Sequence, residues 1–318
     1  MAAPLLKERG PWAIIDCGSQ TFNLLVGDNS DQPFRRIGGH MIPVGLQKGL
    51  TPEKTVPEET LTKVIQALQL LKAKAEAWHA QTIIAVGTSA FRQLKNRDHV
   101  LQVIYAETRL SIEVISGEQE AALIWKGVEV SGVLQDGTGL VLDIGGGSTE
   151  VVWVENRKAV QSWSLPCGAM AMMQTLTPSN PMTTADIHRS LAWLEELWKP
   201  LAPKNPTQWP TTLYGCSGFF NSLFDLEWYQ QHPDIPSPAP VHWHFPKSIF
   251  DVWHKTLLPL SNQEKSLLPG MPAFRAEMAD MAILLTQFFL DKFAIQEIRG
   301  IRFALKEGLM MHSIENQA

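Results

Sequence analysis

"LVLDIGGGSTEVVW", residues 140–153, sets three glycines between two apolar, β-type runs, with Asp143 before them and Ser148, Thr149 and Glu150 after. A tight hairpin needs only one or two special residues, so three glycines exceed what turning requires. The stretch has an echo. "IIDCGSQTFNLLV", residues 14–26, follows the same plan: a strand ending in Asp, a glycine turn, hydroxyl residues, a second strand. Asp143 stands 127 residues after Asp16 (143 − 16), about one domain length. The spacing predicts two similar α/β units, each opened by a β-hairpin with a glycine tip.

The remaining chain supports an α/β reading by its alternation of strand and helix patterns. After the first hairpin, residues 34–44 read as a third strand. Thr51-Pro52-Glu53 has the form of a helix start: cap, proline, acid. The following helix sets Leu61, Val64, Ile65, Leu68 and Leu71 on one face. "TIIAVG" (82–87) is a strand, 88–109 one helix, and "IEVIS" (112–116) a strand. Ser116 and Gln119 form a capping box for the helix "GEQEAALIWKGVEV". In the second unit, strands are expected at 139–143, 148–154 and 159–164, a helix at 184–199, and strand-turn-helix in "TTLYGCSGFFNSL". The proline-rich 228–247 reads as a surface connection. Residues 275–293 form one buried helix, and "EIRGIRFALKEGLMMH" a strand and helix. The expected domains are 1–125, completed by helix 302–318, and 126–301.

The 318 residues suit two domains, and their net charge of −5 gives no long-range attraction for nucleic acid or another polyanion. A polyanionic ligand then requires local cations or a metal. No apolar run reaches membrane-spanning length, and the N-terminus lacks the apolar segment of a signal peptide. Three cysteines without a CxxC pattern fit a reduced, cytoplasmic compartment. A homodimer through helix 275–293 or the Trp-rich second half is compatible with the chain.

The glycine tips carry the chemistry. Glycine permits positive φ and lets backbone approach a ligand closely, and consecutive turn amides can form a nest for an anion. Ser148 and Thr149 add hydroxyl donors, and Asp143 suits a divalent cation. "GTSAF" (87–91) and "GCSGF" (215–219) are strand-to-helix junctions where Ser89 and Ser217 serve either as N-caps or as phosphate donors. Glu118 and Glu120 open a helix; they compensate its dipole, or Glu120 acts as a general base that orients water. "FRQLKNR" (91–97) is a solvated basic face or an anion site. Cys17 and the Met cluster 169–174 read as packed side chains. His242 and His244 read as loop residues, since HxH without a third ligand is a weak metal signal.

Taken together, "IIDCGSQTFNLLVGD", "GTSAFRQLKNRD", "IEVISGEQEAALIWKGV", "LVLDIGGGSTEVVWVEN", "SLPCGAM", "GCSGF" and "PAFRAEMADMAILL…ALKEGLM" resemble, in order and spacing, the exopolyphosphatase / guanosine pentaphosphate phosphohydrolase (Ppx/GppA) family. The chain is similar to a short, two-domain member. The resemblance implies two ribonuclease-H-like (actin-like ATPase) domains facing a central cleft. It implies Mg²⁺- or Mn²⁺-dependent hydrolysis of a terminal phosphoanhydride in polyphosphate or a guanosine penta- or tetraphosphate. By motif, it implies Glu120 as base with Glu150 in the catalytic set. Asp16, Asp143 and Glu150 are implied as metal ligands. Gly18, Ser19, Gln20, Thr21, Arg92, Gly145, Gly146, Gly147, Ser148, Thr149 and Ser217 are implied as phosphate-binding residues. Where the family often carries cations, this chain has Asn23, Ala122 and Ala171. That loss points toward a shorter or nucleotide phosphate rather than long polyphosphate. A non-catalytic phosphate sensor and an ATPase of the same fold are the competing readings.

Overall fold

The computed structural model describes residues 10–28, 34–203 and 208–316. The chain divides into two units, Met1–Val130 with Leu305–Ala318, and Ser131–Ala304. Both are mixed sheets with helices, as the alternation predicts.

The first unit runs β1 (Pro11–Cys17), β2 (Thr21–Asp28), β3 (Arg35–Pro43), α1 (Glu58–Ala77), β4 (Thr82–Gly87), α2 (Ser89–Gln93), α3 (Arg97–Thr108), β5 (Ile112–Val114) and α4 (Gly117–Val130). Its sheet order is β3-β2-β1-β4-β5, with the β1–β2–β3 meander antiparallel and β4 and β5 parallel to β1. Side chains alternate across a strand. Ala13, Ile15 and Cys17 therefore face one core, with Leu68, Leu71 and Ile104 of α1 and α3. Asp16 is out of phase with them and faces the other side of the sheet.

The second unit runs β6 (Thr138–Ile144), β7 (Thr149–Glu155), β8 (Lys158–Leu165), α5 (Ala169–Leu176), α6 (Thr184–Trp198), β9 (Thr212–Cys216), α7 (Ser217–Gln231), β10 (His242–Pro246), α8 (Lys247–Leu257), α9 (Asn262–Ser266), α10 (Ala273–Ala276), α11 (Ala279–Lys292) and β11 (Glu297–Ile301). Its sheet order, β10-β11-β9-β6-β7-β8, repeats the first sheet with one added antiparallel edge strand, β10. The core gathers on α11, where Leu284, Leu285, Phe289 and Leu290 are fully buried, beside Trp198 of α6. The last helix, α12 (Leu305–Asn316), returns to the first unit and packs on α4, β1 and β2. Gly308 makes that approach possible: a Cβ there would lie 1.7 Å from the Leu123 carbonyl oxygen.

Several expected elements change. The helix expected from Thr51 begins at Glu58 instead. The Thr51 hydroxyl closes a turn by accepting from the Thr55 amide at 3.1 Å, and Glu58 and Glu59 supply the acids of the first helical turn. The helix expected over 88–109 is broken. Leu94 is extended, and the Asn96 side chain exchanges hydrogen bonds with the backbone of Val56 at 3.1 and 3.4 Å. The helix expected over 275–293 divides at Glu277–Met278, where Met278 bonds back only three residues, to Arg275. The stretch 228–247 is not all connection: α7 runs to Gln231, and His242 and His244 lie on the exposed face of β10 rather than in a loop. Among the described residues no helix is long and apolar enough to cross a membrane.

Candidate functional site

The tip of the second unit is a closed backbone device. The Gly145 amide donates to the Ser148 carbonyl at 2.9 Å, and a Cβ on Gly145 would stand 2.9 Å from that oxygen. Neither Gly145 nor Gly18 has the left-handed φ that the sequence permits; glycine serves here by close approach. The Gly145 carbonyl accepts from Ala169 N at 2.9 Å, and the Gly146 carbonyl from Met170 N and Ala171 N at 3.0 and 2.9 Å. These are the orphan donors at the start of α5. A trans peptide points its N–H opposite to its C=O, so the Gly146 and Gly147 amides are turned away from α5. Gly168 locks the joint, since a Cβ there would sit 2.5 Å from the Gly146 backbone. Thr149 is buried, and its hydroxyl donates to the Cys167 carbonyl at 2.6 Å.

The first unit repeats the glycine closure at the same offset of 127, with its tethered carbonyls at an offset of 126. Gly18 N donates to Thr21 O at 3.1 Å, and a Gly18 Cβ would meet that oxygen at 2.9 Å. The Ser19 carbonyl accepts from Gln47 N, and the Gln20 carbonyl from Val44 N and Gly45 N. The Gln20 and Thr21 amides are thereby turned away from the 44–47 segment.

Behind each tip lies a row of side chains across the sheet. Asp143 and Glu150 are direct partners in the β6–β7 register, and both are buried. Ser164, the partner of Glu150 on β8, donates to its Oε1 at 2.8 Å. In the first unit the equivalent pair is Asp16 and Asn23. Asn23 Nδ2 donates to Asp16 Oδ2 at 3.3 Å and to Thr21 Oγ1 at 3.2 Å. An amide thus braces the first tip where a carboxylate stands in the second.

Burial pushes the Asp16 carboxyl up to about 7; Lys306 opposes the shift, while Glu120 and Glu307 add to it. Glu120 is buried, whereas Glu118 is exposed and suits the dipole role. The Ser116–Gln119 box closes as expected, at 2.7 and 3.1 Å, and starts the helix that carries Glu120. Arg92 Nη1 donates to Glu120 Oε2 at 2.5 Å and to the Ile115 carbonyl at 3.2 Å. Burial raises the Glu120 carboxyl above its usual range even against Arg92. Lys95 and Arg97 are exposed, so of the "FRQLKNR" cations only Arg92 is drawn into this cluster.

Neither serine at the junctions is an N-cap. Ser89 Oγ accepts from Gln93 Nε2 at 3.1 Å. Ser217, with φ of 76°, donates to the Ile144 carbonyl at 3.0 Å and so braces the strand entering the second tip. The three cysteines are buried. Burial and the Glu150 charge push the Cys167 thiol up to about 12, and burial with Asp16 raises Cys17 well above its ordinary value. Both are packing groups rather than nucleophiles. Lys306 and Glu307 were not singled out from the sequence. Lys306 Nζ lies 3.1 Å from the buried Glu307 carboxylate at the start of α12. The only signal for them was the acid-base pair in "ALKEGLM".

Among the described residues no three His, Cys, Asp or Glu side chains gather as a self-sufficient metal site. Two facing buried carboxylates are nonetheless the hard oxygen set that Mg²⁺ or Mn²⁺ takes when phosphate and water complete its shell. Asp143 and Glu150 fit that description.

The model of the Ppx/GppA phosphatase family matches residues 27–317. A guanosine-5'-triphosphate,3'-diphosphate pyrophosphatase of Vibrio vulnificus (strain YJ016) is 29% identical over 301 residues, covering 94% of this chain and 58% of the relative. The protein of the same name from Vibrio parahaemolyticus is also 29% identical, over 96% and 59%. The chain therefore spans about three fifths of the length of these curated relatives. The crystal structure of an exopolyphosphatase from Cytophaga hutchinsonii superposes with a TM-score of 0.91, at 27% identity, over 96% of this chain and 98% of the other. The Aquifex aeolicus Ppx/GppA family member gives a TM-score of 0.79 at 25% identity, over 96% and 98%. With a family model matched over nearly its whole length, the chain belongs to the Ppx/GppA phosphatase family.

Proposed function

We propose that the chain is a divalent-metal-dependent hydrolase that releases the terminal phosphate of a phosphoanhydride chain, in polyphosphate or a guanosine pentaphosphate. The observation that carries this reading is the repeated tip. Carbonyl groups tied to the following segment leave successive amides turned the other way, an arrangement suited to phosphate oxygens. The Gly146 and Gly147 amides take that task in the second unit, and those of Gln20 and Thr21 in the first. Asp143 and Glu150 hold the cation, with Ser164 fixing one Glu150 oxygen. Mg²⁺ or Mn²⁺, when bound, supplies neutralising charge for the phosphate oxygens. Glu120 orients a water and takes its proton as the water oxygen bonds to the terminal phosphorus and the bridging P–O bond breaks. A carboxyl raised by burial is suited to accepting a proton near neutral pH.

The substrate preference is for a short or nucleotide-borne phosphate chain. Asn23 is committed to Asp16 and Thr21, and Ala122 and Ala171 bring no charge. Each missing cation weakens the hold on a long polyanion, by the same electrostatics that govern nucleic-acid backbones. The test is phosphate release from polyphosphates of several lengths and from guanosine pentaphosphate, with and without Mg²⁺, for the wild type and Glu120→Gln. Metal-dependent release that collapses in the variant supports the reading. Equal release by both proteins removes Glu120 as base, and tight binding without release in any metal makes the chain a phosphate sensor.

A further inference from the structure

We infer that Arg92 is a positioning residue for Glu120 and not a phosphate ligand, an assignment that rests on the hydrolase reading and reverses the role expected for this arginine. One nitrogen, Nη1, reaches both the Glu120 carboxylate, at 2.5 Å, and the Ile115 carbonyl, at 3.2 Å. Ile115 lies just before the Ser116 cap of α4, the helix that carries Glu120. Arg92 therefore ties the base to the start of its own helix.

The arginine is anchored at its other end. Its amide donates to the Thr88 carbonyl at 3.0 Å, and Ser89, Ala90 and Phe91 before it are buried. Gly87 admits the Phe91 ring closely, at 2.9 Å from where a Cβ would stand. The Glu120 side chain is 9% exposed and that of Arg92 23%. Losing the arginine would leave a buried carboxylate without its ion-pair partner, which is costly unless the carboxylate takes up a proton. The charged group that acts on Glu120 is Arg92 itself, while Asp16 on β1 feels Glu120 together with Lys306 and Glu307 from the start of α12. Asp16 and Glu307 are acids, and Lys306 is already paired with Glu307. Arg92 is thus the cation that favours the ionised form of Glu120 against burial and aims its carboxylate.

The experiment follows the ¹³C resonance of the Glu120 carboxyl through a pH titration, assigned by its loss in Glu120→Gln. It is run on the wild type, Arg92→Gln and Arg92→Lys, with tripolyphosphate binding measured by calorimetry and folding checked by thermal melting. The expected result is a Glu120 midpoint raised by about one to three pH units in Arg92→Gln. Arg92→Lys should restore part of the shift, and tripolyphosphate affinity should hold within a factor of about two. The acid limb of any phosphate-release profile moves with the midpoint. An unmoved midpoint overturns the assignment. So does a loss of tripolyphosphate affinity of about tenfold or more in Arg92→Gln, the scale of a lost charge-assisted hydrogen bond. If Arg92→Gln fails to fold, Arg92→Lys decides alone: a raised midpoint supports the assignment and an unchanged one overturns it. Absence of turnover in the wild type would refute the hydrolase reading and leave the titration result standing.

Discussion

Asp143 and Glu150 are direct partners across the β6–β7 hairpin, two buried carboxylates on one face of the sheet. Like charges in that relation are unfavourable, and under the proposed function a bound divalent cation would offset the conflict. Mg²⁺ or Mn²⁺ is expected to raise the melting temperature of the wild type, because a ligand that binds only the folded state stabilises it by mass action. Glu150→Gln should abolish most of that rise and reduce phosphate release by about a hundredfold or more. A full metal-dependent rise in the Glu150→Gln melt would place the cation elsewhere.

Gly145 and Gly168 leave no room for a side chain. Gly168→Ala drives a methyl to within 2.5 Å of the Gly146 backbone, and Gly145→Ala to 2.9 Å of the Ser148 carbonyl. Each is expected to cost about 1–3 kcal/mol of stability, the usual penalty of overpacking. Phosphate affinity should fall further than stability accounts for, because the Gly146 and Gly147 amides shift with the joint. Chemical denaturation and calorimetric phosphate titration of the same variants measure the two losses separately.

Lys265 is fully buried and meets both Asp280 oxygens at 2.7 Å. Burial raises the Asp280 carboxyl despite the lysine, so the pair is held at a desolvation cost. Lys265→Met should destabilise by about 3–5 kcal/mol, whereas Lys265→Met with Asp280→Leu should recover most of the loss. Urea unfolding of the two variants checks this. A double variant no better than the single one would mean that the pair has a role beyond mutual neutralisation.

Acid stability has a local source in Asp186. Its carboxylate accepts from the Thr183 hydroxyl at 2.7 Å, the Thr183 amide at 3.0 Å and the Ser179 amide at 3.2 Å, which together hold it well below the usual carboxylate range. A depressed folded value stabilises the protein above the unfolded carboxylate range, and that stability is lost as pH falls through the folded value. Asp186→Asn should therefore lower stability at neutral pH and flatten its decline below about pH 4. Melting temperatures measured from pH 7 to pH 2 test the slope.

What was legible in the chain was what local geometry dictates. Gly18 and Gly145 sit where a Cβ meets a carbonyl, and Asp16 and Asp143 close equivalent strands, so the repeat at 127 residues is written in residue types. The Ser116–Gln119 box is likewise a local pattern. The breaks at Leu94 and Met278 were not legible, because helix periodicity persists through both. Asn96 leaves its helix for the backbone of Val56, forty residues earlier in the chain. The Arg92–Glu120 pair and the influence of Lys306 on Asp16 arise only when distant segments fold together. No spacing rule connects them.

Gly308 brings α12 against the backbone of α4, yet the whole of the second unit separates the two helices in the chain. An order of folding follows from that connectivity. Residues 131–304 form an uninterrupted unit and can complete their sheet as they emerge, since domains generally fold as units from the N-terminal side. The first unit starts earlier and finishes later, waiting with the α4 surface bare until the last helix arrives. A chain released before Leu305 would carry a finished second unit and an unfinished first one, making the nascent first unit the stage most dependent on protection from aggregation.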